Sequence, residues 1–253
     1  MAQKEKPVAW VVGGPKGLGV TVAKGLAEDG YRIVINYRQS RDAAQKLKTE
    51  IEKNGGEAFI LQGDISKKED IKHMAEEVSN AWGRIDALIC MAGSFVFKKT
   101  SVIEFTDEKW RDMIDGNLSG VFYLVREVIP LMRKQGGGRI ITFGYPEADK
   151  GRGWEGYGPY AAAKTGLAVL TQTLAREEAA HQITVNMILP GDIRDPYKEA
   201  AISEARGKKD PRTPVGRPGT GEDVARAVRF LVHPDSDFIT GAVIPVTGGF
   251  INE

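Results

Sequence analysis

The sequence predicts an α/β fold in which a single doubly wound parallel sheet carries helices on both faces. Three observations predict it. Short apolar runs alternate with helix-patterned segments along the chain, a glycine-rich turn separates the first run from the first helix, and the long irregular segments follow strands. Strands that alternate with helices must run parallel, because each helix returns the chain to the starting edge of the sheet.

An apolar run that begins at Val8 predicts the first strand, and a glycine-rich turn ends it. The turn contains Gly13, Gly14, Gly17 and Gly19. Leu18, Val22 and Leu26 then recur at four-residue spacing, which predicts a helix that stops at Asp29-Gly30. Backbone N–H groups at a helix N-terminus bind anions, and glycine lets a pyrophosphate approach closely. This order of elements therefore indicates a dinucleotide site.

Six further apolar segments predict the remaining strands: Tyr31–Ile35, Ala58–Leu61, Ile85–Cys90, Arg139–Phe143, Thr184–Leu189 and Ala242–Val246. A polar helix follows the second strand and ends at Asn54-Gly55-Gly56. The stretch Ser66–Glu69 predicts a capping box for the next helix. Thr106 predicts the cap of a long helix that Gly136 ends, and the last helix starts at Thr220 or Gly221.

The chain of 253 residues is long enough for one substantial core, and it contains no repeat or interdomain linker. We therefore predict one domain over residues 1–253. Within it, a helix runs from Tyr160 to about Ala180, and a charged, proline-punctuated segment follows the sixth strand. We predict that residues 192–214 of this segment form a mobile substrate lid, with a helical patch around Glu199–Glu204.

Composition excludes several classes of function. A net charge of +1 argues against a nucleic-acid or anionic-membrane partner. Cys90 is the only cysteine and the three histidines share no ligand spacing, which predicts neither a disulfide framework nor a metal site. The N-terminal segment Met1–Pro7 has no apolar signal core, and no apolar run is long enough to cross a bilayer. We expect a cytoplasmic protein.

The end of the second strand indicates which dinucleotide binds. Proteins that choose NAD often place an acidic residue there to hold the ribose hydroxyls. This chain has Asn36-Tyr37-Arg38 instead, with Arg41 close behind and Lys16 in the glycine turn. Cations without a carboxylate suit a 2′-phosphate, which favours NADP(H) over NAD(H). The alternative is that Arg38 and Lys16 are only solvated surface charges.

Tyr160 is followed by a lysine four residues later, Lys164, and this spacing places both side chains on one face of a helix. An ammonium beside a phenol is expected to lower the phenol pKa from about 10 toward neutrality. Such a tyrosine can give a proton to a carbonyl oxygen or take it back. The pair follows the fifth strand, at the predicted ligand-binding edge of the sheet.

With these features the sequence resembles the short-chain dehydrogenase/reductases over essentially its whole length. The matching motifs are Gly13–Gly19, Asp64-Ile65, Ala92-Gly93, Asn117, Tyr160 with Lys164, Pro190-Gly191 with Ile193, Phe238–Gly241 and Gly248-Gly249. Four residues in these motifs depart from the family pattern. Val12 stands in place of a threonine before the glycine turn, Cys90-Met91 replaces two asparagines, and Asp195 stands where a threonine is usual.

The resemblance implies a Rossmann-type fold with Tyr160, Lys164 and Asn117 as catalytic residues, Asn117 holding a water beside the lysine. Together with the charge argument, it predicts these cofactor contacts: Gly13, Lys16, Gly17, Leu18, Gly19, Tyr37, Arg38, Asp64, Ile65, Ala92, Gly93, Tyr160, Lys164, Pro190, Gly191 and Ile193. By the same resemblance we expect a homotetramer, packed through the Asn117 helix, the Tyr160 helix and the C-terminal sheet edge.

The family's catalytic serine is absent, and its position falls on Tyr145, or on Gly144 if the alignment slips. A phenol can donate the same hydrogen bond from farther away, so Tyr145 is a candidate substitute. Pteridine reductases of this family use an aspartate at the position, which shows that it tolerates chemistry other than serine.

Three functions remain open at this point. The first is an NADPH-dependent carbonyl reductase similar to 3-oxoacyl-acyl-carrier-protein reductases, a likeness that Arg217 and Glu222-Asp223-Val224 support. Basic lid residues could then steer an acyl carrier protein or an acyl-CoA phosphate. The second is a reductase of a pteridine or another cyclic C=N or C=O compound, which Trp154 and Tyr157 could flank. The third is an NADP(H)-binding sensor or structural protein with little turnover.

Overall fold

The computed structural model describes residues 6–251, so Met1–Glu5 of the N-terminal segment and the last two residues of the predicted domain lie outside the described residues. Seven parallel strands form one sheet in the order β3-β2-β1-β4-β5-β6-β7. Their bounds are β1 Val8–Val12, β2 Arg32–Tyr37, β3 Glu57–Gln62, β4 Ala87–Cys90, β5 Gly138–Phe143, β6 Ile183–Pro190 and β7 Val243–Val246. The predicted doubly wound α/β fold is confirmed.

Helices cover both faces of the sheet. They are α1 Leu18–Glu28, α2 Arg41–Lys53, α3 Lys68–Trp82, α4 Asp107–Ile114, α5 Gly120–Gln135, α6 Gly158–Glu178, α7 Ile202–Ala205 and α8 Gly221–Val232. The core of one face includes α3, α5 and α6, and the core of the other includes α1, α2 and α8. None of the helices within residues 6–251 combines the length and the apolar character needed to cross a bilayer.

The first strand explains why two cores form. All five residues of β1 are buried, and alternate side chains point to opposite faces. Trp10 packs with α3 and α5, whereas Val11 packs with α1 and α8. Because β1 pairs with β2 on one side and β4 on the other, the direction of winding reverses between β1 and β4. The carboxyl ends of these two strands therefore border the crevice where such sheets bind ligands.

The second strand is longer than predicted. Asn36 and Tyr37 were expected in a loop, but they pair with Leu61 and Gln62 as the last residues of β2. The Asn36 amide nitrogen donates to the carbonyl oxygens of Leu61 and Gly63, so the polar side chain is satisfied although it is buried. This pairing carries the strand two residues closer to the ligand-binding edge.

The predicted capping box at Ser66–Glu69 is wrong. The Ser66 hydroxyl donates to the Asp64 carboxylate at 2.7 Å, the Ser66 N–H donates to the same oxygen, and α3 begins only at Lys68. A serine hydroxyl can bond locally to several neighbours, and the carboxylate two residues earlier is the stronger acceptor. The Thr106 cap is confirmed, since its hydroxyl oxygen accepts the Lys109 N–H at 3.3 Å.

The predicted long helix is interrupted by a turn of π-helix, Asp115–Ser119, between α4 and α5. The Asn117 side-chain nitrogen donates to the Met113 carbonyl oxygen at 3.0 Å, within the backbone ladder of α4. An inserted side-chain donor is a recognised cause of such irregularities. The π-turn widens the helix at the point where Asn117 faces the carboxyl edge of the sheet, and π-turns are frequent at functional sites.

Candidate active site

A cleft of about 1200 Å³ opens at the carboxyl edge of the sheet, and a smaller cavity of about 500 Å³ adjoins it. Every predicted cofactor contact except Gly17 lines one of the two cavities, and so do Asn117 and Tyr145. Gly17 instead donates its N–H to the Glu199 carboxylate at 2.8 Å. The structure thus brings together residues from strands that are far apart in sequence.

Glycine is required where the first turn meets the end of β4. Gly13 has φ +82°, and a Cβ built there would lie 2.6 Å from the Ala92 Cα. A Cβ at Gly19 would lie 2.6 Å from the Gly14 Cα. A Cβ at either position would collide with these backbone atoms, so only glycine allows the close backbone packing that forms a cradle next to the N-terminus of α1. The cradle and its N–H donors therefore fit the pyrophosphate of a dinucleotide.

The smaller cavity lies beyond the glycine turn. It is lined by Tyr37 at the end of β2, by Arg38 and Ser40 just after that strand, and by Asp64 and Ile65 just after β3. The Arg38 guanidinium is 3.6 Å from the Asp64 carboxylate. Burial opposes ionisation of Asp64, but hydrogen bonds from Ser66 and the charge of Arg38 hold its pKa below the usual range. Lys16 lines both cavities. This end presents the cations that a phosphate needs, whereas Arg41 does not line it.

Lys164 is buried beneath Tyr160, with its Nζ 5.7 Å from the centre of the Tyr160 ring. Burial lowers the pKa of Lys164 to about 8, and the nearby Cys90 thiol opposes that shift. Burial in turn raises the pKa of the Cys90 thiol to about 12. The lysine therefore titrates just above neutral pH, while the thiol stays protonated.

The expected lowering of the Tyr160 pKa is wrong for this arrangement. Burial, followed by the neighbouring Tyr145, raises the pKa of Tyr160 well above its ordinary value. The spacing of Tyr160 and Lys164 could not reveal this, because it gives no measure of how deeply the phenol is buried. The phenol thus keeps its proton at neutral pH, which is the state required of a proton donor.

Asn117 offers an acceptor to the same site. Its amide nitrogen donates to the carbonyl oxygens of Ser94 at 2.8 Å and Met113 at 3.0 Å. Its Oδ1 is buried and has no hydrogen-bond partner within the described residues. This oxygen lies against Gly93, where a Cβ would overlap it. A buried acceptor without a partner is suited to a water or an ammonium group.

Tyr145 lies at the end of β5 with its ring stacked on Trp154, the two ring centres 5.1 Å apart. Its hydroxyl donates to the carbonyl oxygen of Arg152 at 2.9 Å. A phenol has a single proton to donate, so this hydrogen bond must break before Tyr145 can donate to a substrate. The role of Tyr145 as the substitute for serine stays a prediction.

Sequence reasoning missed Phe95, which contacts the centre of the site. The Phe95 ring meets Tyr160 edge-on at 4.9 Å and stacks on Tyr157 at 5.4 Å with 13° between the planes. Trp154 and Tyr157 are 4.5 Å apart. We call Phe95, Trp154 and Tyr157 the aromatic wall. The sequence signal that could have found Phe95 is its position two residues after the Ala92-Gly93 motif.

Ion pairs join parts of the predicted lid to each other, and hydrogen bonds tie it to the body of the protein. Arg212 pairs with Asp192 at 2.7 Å and with Asp210 at 2.6 Å. Glu199 accepts the Gly17 N–H, and the Glu222 carboxylate at the start of α8 accepts the Ile202 N–H at 2.6 Å. The predicted helical patch is a turn of 3₁₀-helix, Tyr197–Glu199, followed by α7. Mobility of the lid stays a prediction.

No cluster of potential metal ligands occurs within residues 6–251. The donors that converge on the cleft are backbone N–H groups, a phenol, an amide and cations. These groups suit an anionic dinucleotide and a polar reacting group.

The chain is similar to known proteins over most of its length. The model of a family described as enoyl-(acyl carrier protein) reductase matches residues 12–251. "Putative oxidoreductase YtkK" of Bacillus subtilis is 47% identical over 95% of both chains. The 3-oxoacyl-[acyl-carrier-protein] reductase FabG of Staphylococcus epidermidis is 35% identical over 95% of this chain and 97% of its own.

A solved structure shares the fold closely. That structure, a "putative 3-oxoacyl-reductase from Bacillus thuringiensis", is 42% identical, has a TM-score of 0.90 and aligns over 96% of this chain and 97% of its own. These relatives align over nearly the whole chain. The chain therefore belongs to the short-chain dehydrogenase/reductase family and is related to the 3-oxoacyl-acyl-carrier-protein reductases.

Proposed function

We propose that the protein is an NADP(H)-dependent reductase of carbonyl compounds, with Tyr160 as the proton donor. The observation that carries this proposal is the position of Tyr160 in the cleft, where the Nζ of the buried Lys164 lies 5.7 Å from the centre of its ring. A phenol that keeps its proton suits reduction, in which the carbonyl oxygen must gain one.

The charge pattern supports NADP(H) as the cofactor. Arg38 and Lys16 line the smaller cavity, and the end of β2 offers no carboxylate for a ribose hydroxyl. The backbone N–H groups at the start of α1 and the glycine cradle around Gly13 would hold the pyrophosphate. When bound, NADPH would supply the hydride for the carbonyl carbon and leave as NADP⁺.

The protein's own groups would handle the proton. Tyr160 gives its phenolic proton to the carbonyl oxygen, so that C=O becomes CH–OH. Lys164, which titrates near pH 8, lies close enough to stabilise the phenolate that remains. The unpaired Asn117 oxygen can hold a water that returns a proton from solvent. One carbonyl, one NADPH and one proton thereby yield one alcohol and one NADP⁺.

Two substrate classes follow from different observations. The named relatives favour a 3-oxoacyl thioester carried on acyl carrier protein or coenzyme A. The aromatic wall beside Tyr160 favours a cyclic C=O or C=N compound such as a pteridine. Retention of Tyr160, Lys164 and Asn117 argues against a sensor with little turnover, because a binding protein does not need this set.

The remaining expectations belong to the same proposal. Apolar side chains are exposed on the helices and the C-terminal segment expected to pack in a homotetramer; they include Trp110, Phe122, Val169 and Phe238. These exposed side chains support assembly of several copies. A cytoplasmic location stays a prediction from the sequence.

The proposal is tested by NADPH oxidation with acetoacetyl-CoA, crotonyl-CoA, a pterin and no substrate. We expect turnover of a carbonyl substrate, weak activity with NADH, and no turnover of crotonyl-CoA, whose reducible group is a C=C bond. Tyr160→Phe serves as the negative control, because it removes only the phenolic hydroxyl that is proposed to donate the proton. Tight NADPH binding without turnover of any substrate would favour the sensor, and turnover of crotonyl-CoA alone would contradict carbonyl reduction.

A further inference from the structure

The aromatic wall is built by close packing between two irregular segments. Thr100 donates its N–H to the Gly156 carbonyl oxygen at 3.0 Å. A Cβ at Gly156, which has φ +79°, would lie 2.8 Å from the Lys99 Cβ. A Cβ at Gly158 would lie 2.6 Å from a methyl group of Val102. Glycine at both positions lets the segment after β4 lie directly against the start of α6, which fixes Phe95 on Tyr157.

The wall governs what can reach the Tyr160 phenol. The Phe95 ring stands at 85° to the Tyr160 ring with the ring centres 4.9 Å apart, and the Trp154 ring centre lies 6.1 Å from that of Tyr160. The Tyr145 hydroxyl, the nearest other phenol, donates to the Arg152 carbonyl. The surface beside the reacting group is therefore made of ring faces and ring edges. Such a surface binds a flat conjugated ring better than a flexible chain, because stacked rings gain contact along their whole area.

Charge at the rim of the wall adds a second feature. Several cations line the cleft, but those of the lid are paired: Arg194 and Arg212 with Asp192, and Lys198 with Asp195. Lys16 lies at the glycine turn and Lys164 beneath Tyr160. Lys99 lines the cleft at the wall, and within residues 6–251 no carboxylate pairs with it. An exposed lysine without a counterion beside an aromatic surface is available to an anionic group of a ligand.

We propose that the substrate of this reductase is a flat, conjugated cyclic ketone that carries an anionic group, with its ring against the aromatic wall and the anionic group at Lys99. This inference rests on the proposed carbonyl reduction and chooses between its two substrate classes. It makes Phe95 and Lys99 specificity-determining residues, one for ring shape and one for charge.

A matched pair of probe ketones tests the proposal. Isatin is a flat bicyclic ketone, and isatin-5-sulfonate is the same ring with one negative charge. Their dissociation constants are measured by titration calorimetry with the full-length protein loaded with NADP⁺, and their turnover is followed by NADPH oxidation. We expect the sulfonate to bind about tenfold more tightly, which corresponds to a single favourable charge contact. Equal dissociation constants would overturn the assignment of Lys99.

Two lysine variants locate the charge contact. Lys99→Met should abolish the advantage of the sulfonate and leave the affinity for isatin unchanged. Lys98→Met is the matched control, because Lys98 is the adjacent exposed lysine but does not line the cleft. It should keep the full advantage. If isatin-5-sulfonate still binds more tightly than isatin to Lys99→Met, or if this difference in affinity disappears equally in both variants, the proposal is overturned.

Variants of the wall test the ring. Phe95→Leu should raise the KM for both isatins about five- to tenfold with little change in kcat, because it removes a stacking surface and not the proton donor. Phe95→Tyr should restore the native KM, which separates loss of the ring from loss of folding. A KM for Phe95→Leu equal to that of the native protein would contradict a role in ring recognition.

The outcomes also separate this inference from the proposed function. If acetoacetyl-CoA has a higher kcat/KM than isatin-5-sulfonate and depends on Tyr160, carbonyl reduction stands and the ring proposal fails. If neither ketone is reduced but the sulfonate still binds more tightly through Lys99, the binding assignment stands and the proposed function fails.

Discussion

The two ends of the cleft recognise ligands by different means. At the dinucleotide end, glycines let backbone segments pack closely: a Cβ at Gly13 would lie only 2.6 Å from the Ala92 Cα. The surface there consists of backbone N–H groups and cationic side chains. At the substrate end, the rings of Phe95, Trp154 and Tyr157 pack on one another and on Tyr160. The first end suits a ligand common to the family, whereas the second suits one particular shape.

This difference has a physical origin. The dinucleotide end depends largely on backbone geometry, that of the strand ends and of one helix terminus, to which a few cationic side chains are added. The substrate end depends on two irregular segments, held together by Thr100 and Gly156. Loops on a rigid scaffold can change without loss of the fold, so specificity is expected there.

The largest effect is expected from Lys164→Met, which removes the ammonium beside Tyr160. We expect kcat to fall about 10²–10⁴-fold, the range for loss of acid–base assistance. The same change should raise the free energy of unfolding at pH 7 by about 1–3 kcal/mol, because a buried lysine whose pKa is lowered to about 8 destabilises the fold when charged. Chemical denaturation and steady-state kinetics measure the two effects.

The pH dependence of that gain in stability has a definite sign. Below pH 8 Lys164 is charged in both the folded and the unfolded chain, so Lys164→Met keeps its full advantage. As the pH rises from 8 toward the ordinary lysine pKa of about 10.4, the folded protein loses the proton first and the advantage fades. Lys98→Met, at an exposed position, should change stability by less than about 0.5 kcal/mol. A gain that grows above pH 8 would contradict the burial argument.

Gly13→Ala tests the backbone cradle at the dinucleotide end. Gly55→Ala is the matched control, since both glycines have φ +82° but a Cβ at Gly55 meets nothing within 4 Å. Both changes carry the strain of a positive φ, about 1–2 kcal/mol in the free energy of unfolding. Only Gly13→Ala should also weaken NADPH binding, by about tenfold or more, because its methyl displaces the end of β4. Equal affinities in the two variants would show that the cradle does not hold the cofactor.

Arg38→Ala sharpens the cofactor assignment. We expect the dissociation constant of NADPH to rise about tenfold and that of NADH to change little, because a charge-assisted hydrogen bond to the 2′-phosphate is lost. Arg41→Ala is the control, since Arg41 does not line the smaller cavity. Equal losses for both dinucleotides in Arg38→Ala would remove the argument for NADP(H).

A last prediction, which involves no substitution, concerns Cys90, which is buried and whose thiol pKa is raised to about 12. The folded protein should react with iodoacetamide at neutral pH far more slowly than the protein in urea, because the thiolate is the reactive form. Mass spectrometry of the alkylated protein measures the difference. Rapid modification of the folded protein would mean that this side of the cleft opens.

The sequence predicted the sheet and the dinucleotide end because their signals are local. The glycine turn and the Tyr160–Lys164 spacing each fall within a few residues, and the strand–helix alternation predicted a parallel sheet with helices on both faces. The capping box failed because Asp64 offered Ser66 a stronger partner than the helix backbone. The π-turn was missed because the Asn117 side-chain amide, which donates to a backbone carbonyl of α4, causes it. The spacing of apolar residues along a helix gives no sign of such a hydrogen bond.

The substrate end could not be predicted from the sequence, because its contacts join segments that are distant along the chain. Phe95 and Tyr157 are separated by 61 intervening residues in sequence and come together only when the segment after β4 packs on α6. The sign of the Tyr160 pKa shift likewise depends on burial, which no spacing measures. A lone sequence can therefore predict the cofactor class more readily than the substrate.

Reduction of a ketone by native protein and by Tyr160→Phe at pH 7 tests the central claim most directly. The measurement is NADPH oxidation with saturating isatin-5-sulfonate or acetoacetyl-CoA, together with calorimetric binding of NADPH to both proteins. We predict that Tyr160→Phe still binds NADPH, with at most a small loss of affinity because only one hydroxyl is removed, and that its kcat falls about 10²–10⁴-fold with whichever ketone is reduced. Turnover at the native rate without the Tyr160 hydroxyl would contradict the account.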